Sequence, residues 1–321
     1  MVRHVSCDPH VDTFPDAETA EGATPRRHAW KDYLAVTKPN MIAPNVLTTF
    51  TGFWLAWSAT QPGWPDLDLL LVTLLGTALV IASGCALNNY LDRDFDQRMA
   101  RTRSRPLPDG RLSPRAVWRL GVALGIAGVT LLALFAGPIT SLLALIGLFV
   151  YVWVYTAWLK RTSTLNTVIG GIAGAIPPII GWSAVTGTLD HPAVWALFAL
   201  MFLWQPPHFL ALGMMRVNEY RAAGFVMLPV VAGFAATKRQ ILHYVAAMIP
   251  ASFLLYGFGV VGKLYAIGAA LLGLAYLVMA ARGFVVRDDL RWAKQMFAFS
   301  LVYLNAILAL ILVDSLWRMA N

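Results

Sequence analysis

Charged residues are scarce in this sequence. They make up 13% of its 321 residues, while 58% are hydrophobic, against about 25% and roughly 45–50% in soluble domains. A chain so poor in charge cannot cover its apolar surface in water, which excludes an ordinary soluble globular protein. Cysteine is rarer still. Only Cys7 and Cys85 occur, one in a polar N-terminal stretch and one inside an apolar run, so no structural disulfide is expected. Residues 1–30 contain no apolar run, and Asp8, Asp12, Asp16, Glu18 and Glu21 fall there. The stretch is therefore neither a secretory signal nor an acid-poor transit peptide, and it reads as a disordered cytoplasmic tail ahead of one membrane domain over 31–321. His4, Cys7 and His10 in that tail lack a fourth ligand at metal-binding spacing.

What the sequence has in quantity is apolar stretches of about 20 residues, the length that crosses a hydrocarbon core of roughly 30 Å as a helix. Nine spans are expected, at 41–60, 69–91, 116–136, 139–159, 165–187, 192–214, 241–260, 263–282 and 296–316. The fold class is an all-α polytopic membrane protein, because backbone amides in lipid must be satisfied within each segment. Lysine and arginine sort the loops by side. The N-terminal segment and the loops after even-numbered spans hold nearly all of them, from Arg3 to Lys294, whereas the opposite set holds only Lys263 and Arg318. The chain is expected to be a multi-pass protein of the cell inner membrane, N-terminus cytoplasmic and C-terminus on the other side. This sorting accounts for the net charge of +8 without a nucleic-acid partner.

The second span leaves the membrane through NNYLDRDFDQRMARTRSRPLPDGRLSP, in which Asn88, Asp92 and Asp96 are spaced i, i+4, i+8. On a helix such residues drift only about 40° per step and form one stripe roughly 12 Å long. Two carboxylates and an amide on one stripe suit a hard cation, and Mg²⁺ in particular bridges one or two carboxylates to substrate phosphates. The plainer reading is a solvated helix end at the membrane boundary. Against it stand Arg98, Arg101, Arg103 and Arg105, crowded beside the carboxylates before Pro106 and Pro108. A site that holds a polyphosphate through metal and guanidinium groups together requires both. After Tyr151, Trp153, Tyr155 and Trp158, Lys160 and Arg161 end the fourth span; they either stop the helix at the headgroups or add to the anion site. Gly170, Gly171, Gly174, Pro177, Pro178 and Gly181 predict a fifth span that is bent and lines a pocket, or one that simply packs closely. His208 follows Pro206-Pro207 inside the sixth span, and an ionisable residue there is a functional candidate.

The pattern N-x-x-x-D-x-x-x-D followed by R-T-x-x-R-P-L resembles the first signature of the intramembrane aromatic prenyltransferase superfamily. YTAWLKRTSTLNTVIGGIAGAIPPIIGW, from Tyr155 to Trp182, and WQPPHFLALGMMRVNEYRAAGFVMLPVV, from Trp204 to Val231, are similar to the corresponding segments of its protoheme IX farnesyltransferase branch. The resemblance covers the first six spans. It implies a nine-helix bundle around a central cavity open to the cytoplasmic face, and transfer of a farnesyl group from farnesyl diphosphate to a vinyl group of heme B with addition of water, giving heme O and pyrophosphate. It further implies Mg²⁺ on Asn88, Asp92 and Asp96, diphosphate on Arg101, Arg105, Lys160 and Arg161, and heme or acceptor contacts from His208, Tyr155 and Glu219. A downstream heme-modifying enzyme or oxidase assembly factor is a candidate recipient of the product. The chain departs from the quinone-pathway members in having Arg216, Glu219 and Tyr220 where those carry a second acidic pair. A prenyltransferase acting on an aromatic acid, a quinone precursor or a chlorin is the alternative, and a non-enzymatic heme carrier or transporter is the alternative of a different class.

Overall fold

A computed structural model describes residues 29–320. The expected tail lies outside the described residues, with His4, Cys7 and His10, except that a helix already starts at Ala29. The described residues form helices and connecting turns, without a strand. A short helix α1 (Ala29–Thr37) precedes α2 (Pro39–Thr60), α3 (Leu67–Asp96), α4 (Pro114–Phe135), α5 (Pro138–Thr162) and α6 (Asn166–Thr186). Then follow α7 (Pro192–Met215), α8 (Val217–Ala223), α9 (Gly233–Gly257), α10 (Lys263–Arg282) and α11 (Asp289–Ala320). Prolines open α2, α4, α5 and α7, where a missing N–H costs nothing. Asp66 caps α3 by accepting from the amides of Asp68 and Leu69 at 2.9 and 3.1 Å.

Eight of these helices, α3 to α7 and α9 to α11, are long and apolar enough to cross a membrane, which makes the chain a multi-pass membrane protein. The first expected span is also helical over 22 residues as α2 but falls short of the others in apolarity. Its polar residues Thr48, Thr49 and Thr51 are buried against the rest of the bundle. Outward faces carry exposed Leu71, Leu75, Ile126, Phe149, Leu271 and Leu274, surface that only lipid covers without cost.

Two departures from regular helix shape the interior. Val150–Leu159 of α5 is wound as a π-helix, and Thr156 Oγ1 donates to the carbonyl of Tyr151, five residues back, at 2.8 Å. Helix α6 breaks at Ile176, ahead of Pro177 and Pro178, so the bend expected from the sequence is present. The segments pack through small residues. A Cβ on Gly52 would stand 1.9 Å from the Pro178 carbonyl oxygen, and one on Gly181 would stand 2.0 Å from that of Thr49, so α2 and the second half of α6 touch backbone to backbone.

At about 1.5 Å per residue, the 30 residues of α3 run to about 45 Å, well beyond the roughly 30 Å hydrocarbon core. Its last turns, carrying Asn88, Asp92 and Asp96, therefore continue past the apolar layer. There the segment after α3 meets the segment after α7, with Met99 packed on Ala223, Phe225 and Met227 and Phe95 stacked on Phe225 at 5.1 Å. The two loops form one cap over the end of the bundle.

Gly181→Ala is expected to destabilise the protein by roughly 1–3 kcal/mol, the usual cost of overpacking a tight seam. A Cβ on Gly147 meets only ordinary contact at 3.4 Å, so Gly147→Ala serves as the neutral control. Thermal unfolding in detergent checks both.

Candidate active site

The stripe on α3 faces inward. Asp92 and Asp96 are only 1% and 2% exposed, and each is compensated from a different part of the chain. Lys160 Nζ lies 2.5 Å from Asp92 Oδ2, and Arg105 Nη1 lies 2.7 Å from Asp96 Oδ2. Asn88 donates from Nδ2 to Asp92 Oδ2 at 3.0 Å and to Thr156 Oγ1 at 3.1 Å. The π turn of α5 thus brings Thr156 onto the stripe. Arg161 donates to the Leu91 carbonyl at 2.9 Å, stacks over the Phe95 ring and stands 4.0 Å from Asp92 Oδ1.

Asp92 Oδ1 is buried with no hydrogen-bond partner. An orphaned carboxylate oxygen beside a second carboxylate and an amide is a fitting place for a divalent cation. The described residues contain no group of three or more Asp, Glu, His or Cys placed to hold one. With two carboxylates and an amide the protein can supply only part of a coordination shell, as suits a Mg²⁺ that shares its remaining positions with water and phosphate oxygens.

Sequence reasoning missed Lys38. Its Nζ donates to Asn88 Oδ1 at 2.6 Å, from a left-handed backbone with φ of 52° that turns the chain between α1 and α2. The signal available was a lysine directly before a helix-opening proline, which reads as an ordinary helix boundary. Burial lowers the Lys38 amine from 10.5 to about 8, and the nearby Arg105 and Lys160 push the same way against Cys85 and Asp92.

Below the polar cluster lies a cavity of about 470 Å³, within the range of small-molecule sites. Tyr151, Tyr155, Cys85 and Tyr220 line it towards the cap; Gln205, His208, Trp204 and Phe297 line it elsewhere. The ring of Tyr155 leans on Gly170, where a Cβ would stand 2.6 Å from it. Burial raises the pKa of the Tyr220 hydroxyl, so it stays protonated near neutral pH. Gln205 Nε2 donates to the Gly171 carbonyl at 2.9 Å, fastening α7 to α6 beside Pro206 and Pro207, through which α7 stays helical.

The expected residues divide into three groups. Asn88, Asp92, Asp96, Arg105, Lys160 and Arg161 come together in one cluster, next in sequence to Cys85 and Tyr155 of the cavity lining. Tyr155 and His208 line the cavity itself. Arg101 and Glu219 do neither: Arg101 Nε lies 3.4 Å from Glu219 Oε2, and Arg216 Nη1 lies 2.8 Å from Glu219 Oε1. The neighbour of Glu219, Tyr220, reaches the cavity instead. The four aromatic residues of the π-wound segment also separate, since Trp153 and Trp158 are 59% and 61% exposed on the outer surface, while Tyr151 and Tyr155 face the cavity.

The model of the UbiA prenyltransferase family matches residues 45–302. The chain belongs to the UbiA prenyltransferase family. A protoheme IX farnesyltransferase from Alkalihalophilus pseudofirmus is 49% identical over 304 residues, covering 94% of this chain and 95% of that one. Another of the same name from Geobacillus kaustophilus is 46% identical over 290 residues, 90% of this chain and 92% of its own. Among solved structures, a digeranylgeranylglyceryl phosphate synthase superposes with a TM-score of 0.75 at 19% identity, over 90% of this chain and 99% of its own. A UbiA homologue from Archaeoglobus fulgidus bound to GPP and Mg²⁺ superposes with a TM-score of 0.62 at 17% identity, over 87% and 99%. At those identities the likeness shows that the UbiA fold is shared. This UbiA chain is thus an α-helical membrane prenyltransferase by family.

Because folding lowers the pKa of Lys38, the unfolded chain binds the extra proton between about 8 and 10.5, and stability rises with pH across that window. Thermal melts of the metal-free protein, in EDTA, should show this rise, and Lys38→Met should flatten it.

Proposed function

We propose that the chain transfers a farnesyl group from farnesyl diphosphate to a vinyl group of heme B, with addition of water, giving heme O and pyrophosphate. The observation that carries the proposal is the orphaned, buried oxygen of Asp92, set among paired cations above an apolar cavity. The name of the two relatives, protoheme IX farnesyltransferase, at 46–49% identity over nearly the whole chain, supports farnesyl as the donor group and heme as the acceptor. The prenyl diphosphate and Mg²⁺ held by the Archaeoglobus homologue support the metal.

Asn88, Asp92 and Asp96 would hold Mg²⁺, which supplies positive charge to the diphosphate as it departs. Lys160, Arg105, Lys38 and Arg161 surround the same point. In this structure Lys160 and Arg105 neutralise the carboxylates; with substrate they turn to the phosphate oxygens and stabilise the charge that grows as the C–O bond breaks. The bonding pair leaves with pyrophosphate, and the allyl cation is left beneath Tyr151 and Tyr155, whose stacked rings, 5.8 Å apart, offer negative faces to it. The cavity is lined mainly by apolar side chains and holds the farnesyl chain away from water. The terminal vinyl carbon of heme B bonds to the farnesyl C1, and water adds to the other vinyl carbon and releases a proton. Arg101 and Glu219 serve the cap rather than the substrate, through the pair that joins its two loops.

The basic residues of the cap and the positive-inside pattern support a cytoplasmic orientation for this end of the bundle, in the cell inner membrane. Helix α2 completes the bundle as a ninth crossing on this reading, its polar face inward.

Asp92→Ala and Asp96→Ala should each lower turnover by at least about 100-fold while the protein still inserts, with a lowered melting temperature because Lys160 or Arg105 is left without its partner. Pyrophosphate release from membranes given farnesyl diphosphate, Mg²⁺ and heme B measures this. Product from 4-hydroxybenzoate but not from heme B would reject the acceptor assignment. Calorimetry gives a second check: since each partner is already occupied by ion pairs, Mg²⁺ alone and diphosphate alone should bind weakly, and the two together far more tightly.

A further inference from the structure

Nothing in the sequence motifs drew attention to Ser300, which lies in α11, fully buried, a helix that reads as generically hydrophobic. Its hydroxyl donates to the Phe297 carbonyl at 2.6 Å, which uses its single hydrogen. The same oxygen lies 2.7 Å from His208 Nδ1; with the hydroxyl hydrogen on the Phe297 carbonyl, it accepts there and Nδ1 carries the proton. Its backbone carbonyl accepts from Trp204 Nε1 at 2.8 Å. Trp204 and Phe297 in turn stack on the histidine ring, at centroid distances of 4.8 and 4.6 Å. Both ring faces are covered and the Nδ1 edge is bound. His208 is 9% exposed and lines the cavity, and Nε2 is not among the buried atoms left without a partner. What the ring shows to the cavity is its Nε2 edge.

We infer that Ser300 is a positioning residue that fixes His208 as the Nδ1–H tautomer, so that the Nε2 lone pair is presented to the acceptor part of the cavity as a ligand for the iron of a porphyrin. The inference rests on the proposed heme acceptor. A metal-ligating imidazole has its other nitrogen tied to a fixed acceptor, which sets its tautomer and orientation. A hydroxyl that has spent its hydrogen on a backbone carbonyl meets that requirement, and the aromatic clamp removes the remaining rotation. A histidine serving only to fill the core needs neither a fixed tautomer nor a free lone pair on the cavity side.

The test is titration of ferric heme b into the purified full-length chain, followed by absorption and electron paramagnetic resonance. Wild type should give the signature of imidazole-ligated iron, and His208→Ala should lose it. Ser300→Ala should weaken heme binding by about tenfold, the lower end of losses on removing such an outer partner, and should alter the spectrum. Ser300→Thr, which keeps the hydroxyl, should restore both. Unchanged farnesyl diphosphate binding by Ser300→Ala shows that the fold is intact, since that site lies at the other end of the cavity. Wild-type affinity and spectrum in Ser300→Ala would overturn the inference. If wild type makes farnesylated heme yet never shows an imidazole signature, the positioning role falls while the transferase reading stands. Failure of wild type to farnesylate heme at all would count against the transferase reading itself.

Discussion

The structure depends on burying two carboxylates, Asp92 and Asp96, each against a cation from another part of the chain. Burying Asp92 and Asp96 without compensation would cost several kcal/mol per charge, so Lys160 and Arg105 must reach them. These two residues come from separate segments: Arg105 from the loop after α3, and Lys160 from the end of α5. Each ion pair therefore also docks a segment onto the protruding turns of α3. The assembly of the cap and the readiness of the anion site are consequences of the same electrostatic requirement. A pair of this kind is a weak source of net stability, because the desolvation penalty offsets most of the attraction. On the proposed reading, its value is that the cations are held within reach of the position an incoming diphosphate would take.

Much of this arrangement is visible in the residues themselves. The i, i+4, i+8 spacing puts Asn88, Asp92 and Asp96 on one stripe whatever surrounds it, and the crowding of arginines after it calls for an anion. The proline pair in α6 announces the break at Ile176, since a missing amide cannot be hidden. Other features depend on contacts that no local pattern records. Glu219 and Arg101 look like candidates for substrate binding, but they neutralise each other across two loops separated by 118 residues. The π winding of α5 sorts its aromatics: it turns Thr156 towards Asn88, sets Tyr151 and Tyr155 on the cavity and leaves Trp153 and Trp158 exposed on the outer surface. Lys38 looks like a boundary lysine until the left-handed turn at its own α-carbon carries its amine onto Asn88. Ser300 could not be singled out at all, because its importance lies in which ring it touches from 92 positions away.

The two halves of the chain divide the chemistry unequally. The last turns of α3 carry the carboxylate pair that has an unfilled oxygen. The corresponding loop after α7 carries Glu219 clasped by Arg101 and Arg216, a carboxylate with its charge already answered by two guanidinium groups. Such a carboxylate is poorly disposed to take a metal, and the excess guanidinium charge adds to the positive field of the cap. On the proposed reading, a diphosphate of about three negative charges would be balanced by one metal-binding stripe together with a ring of fixed cations. The second half is then released from metal binding, and its helices α7 and α11 can build an apolar clamp around His208. On the same reading, the ionising step lies near the cap and the acceptor lies against a wall of aromatic side chains, so that charge separates at one end of the apolar cavity and is captured within it.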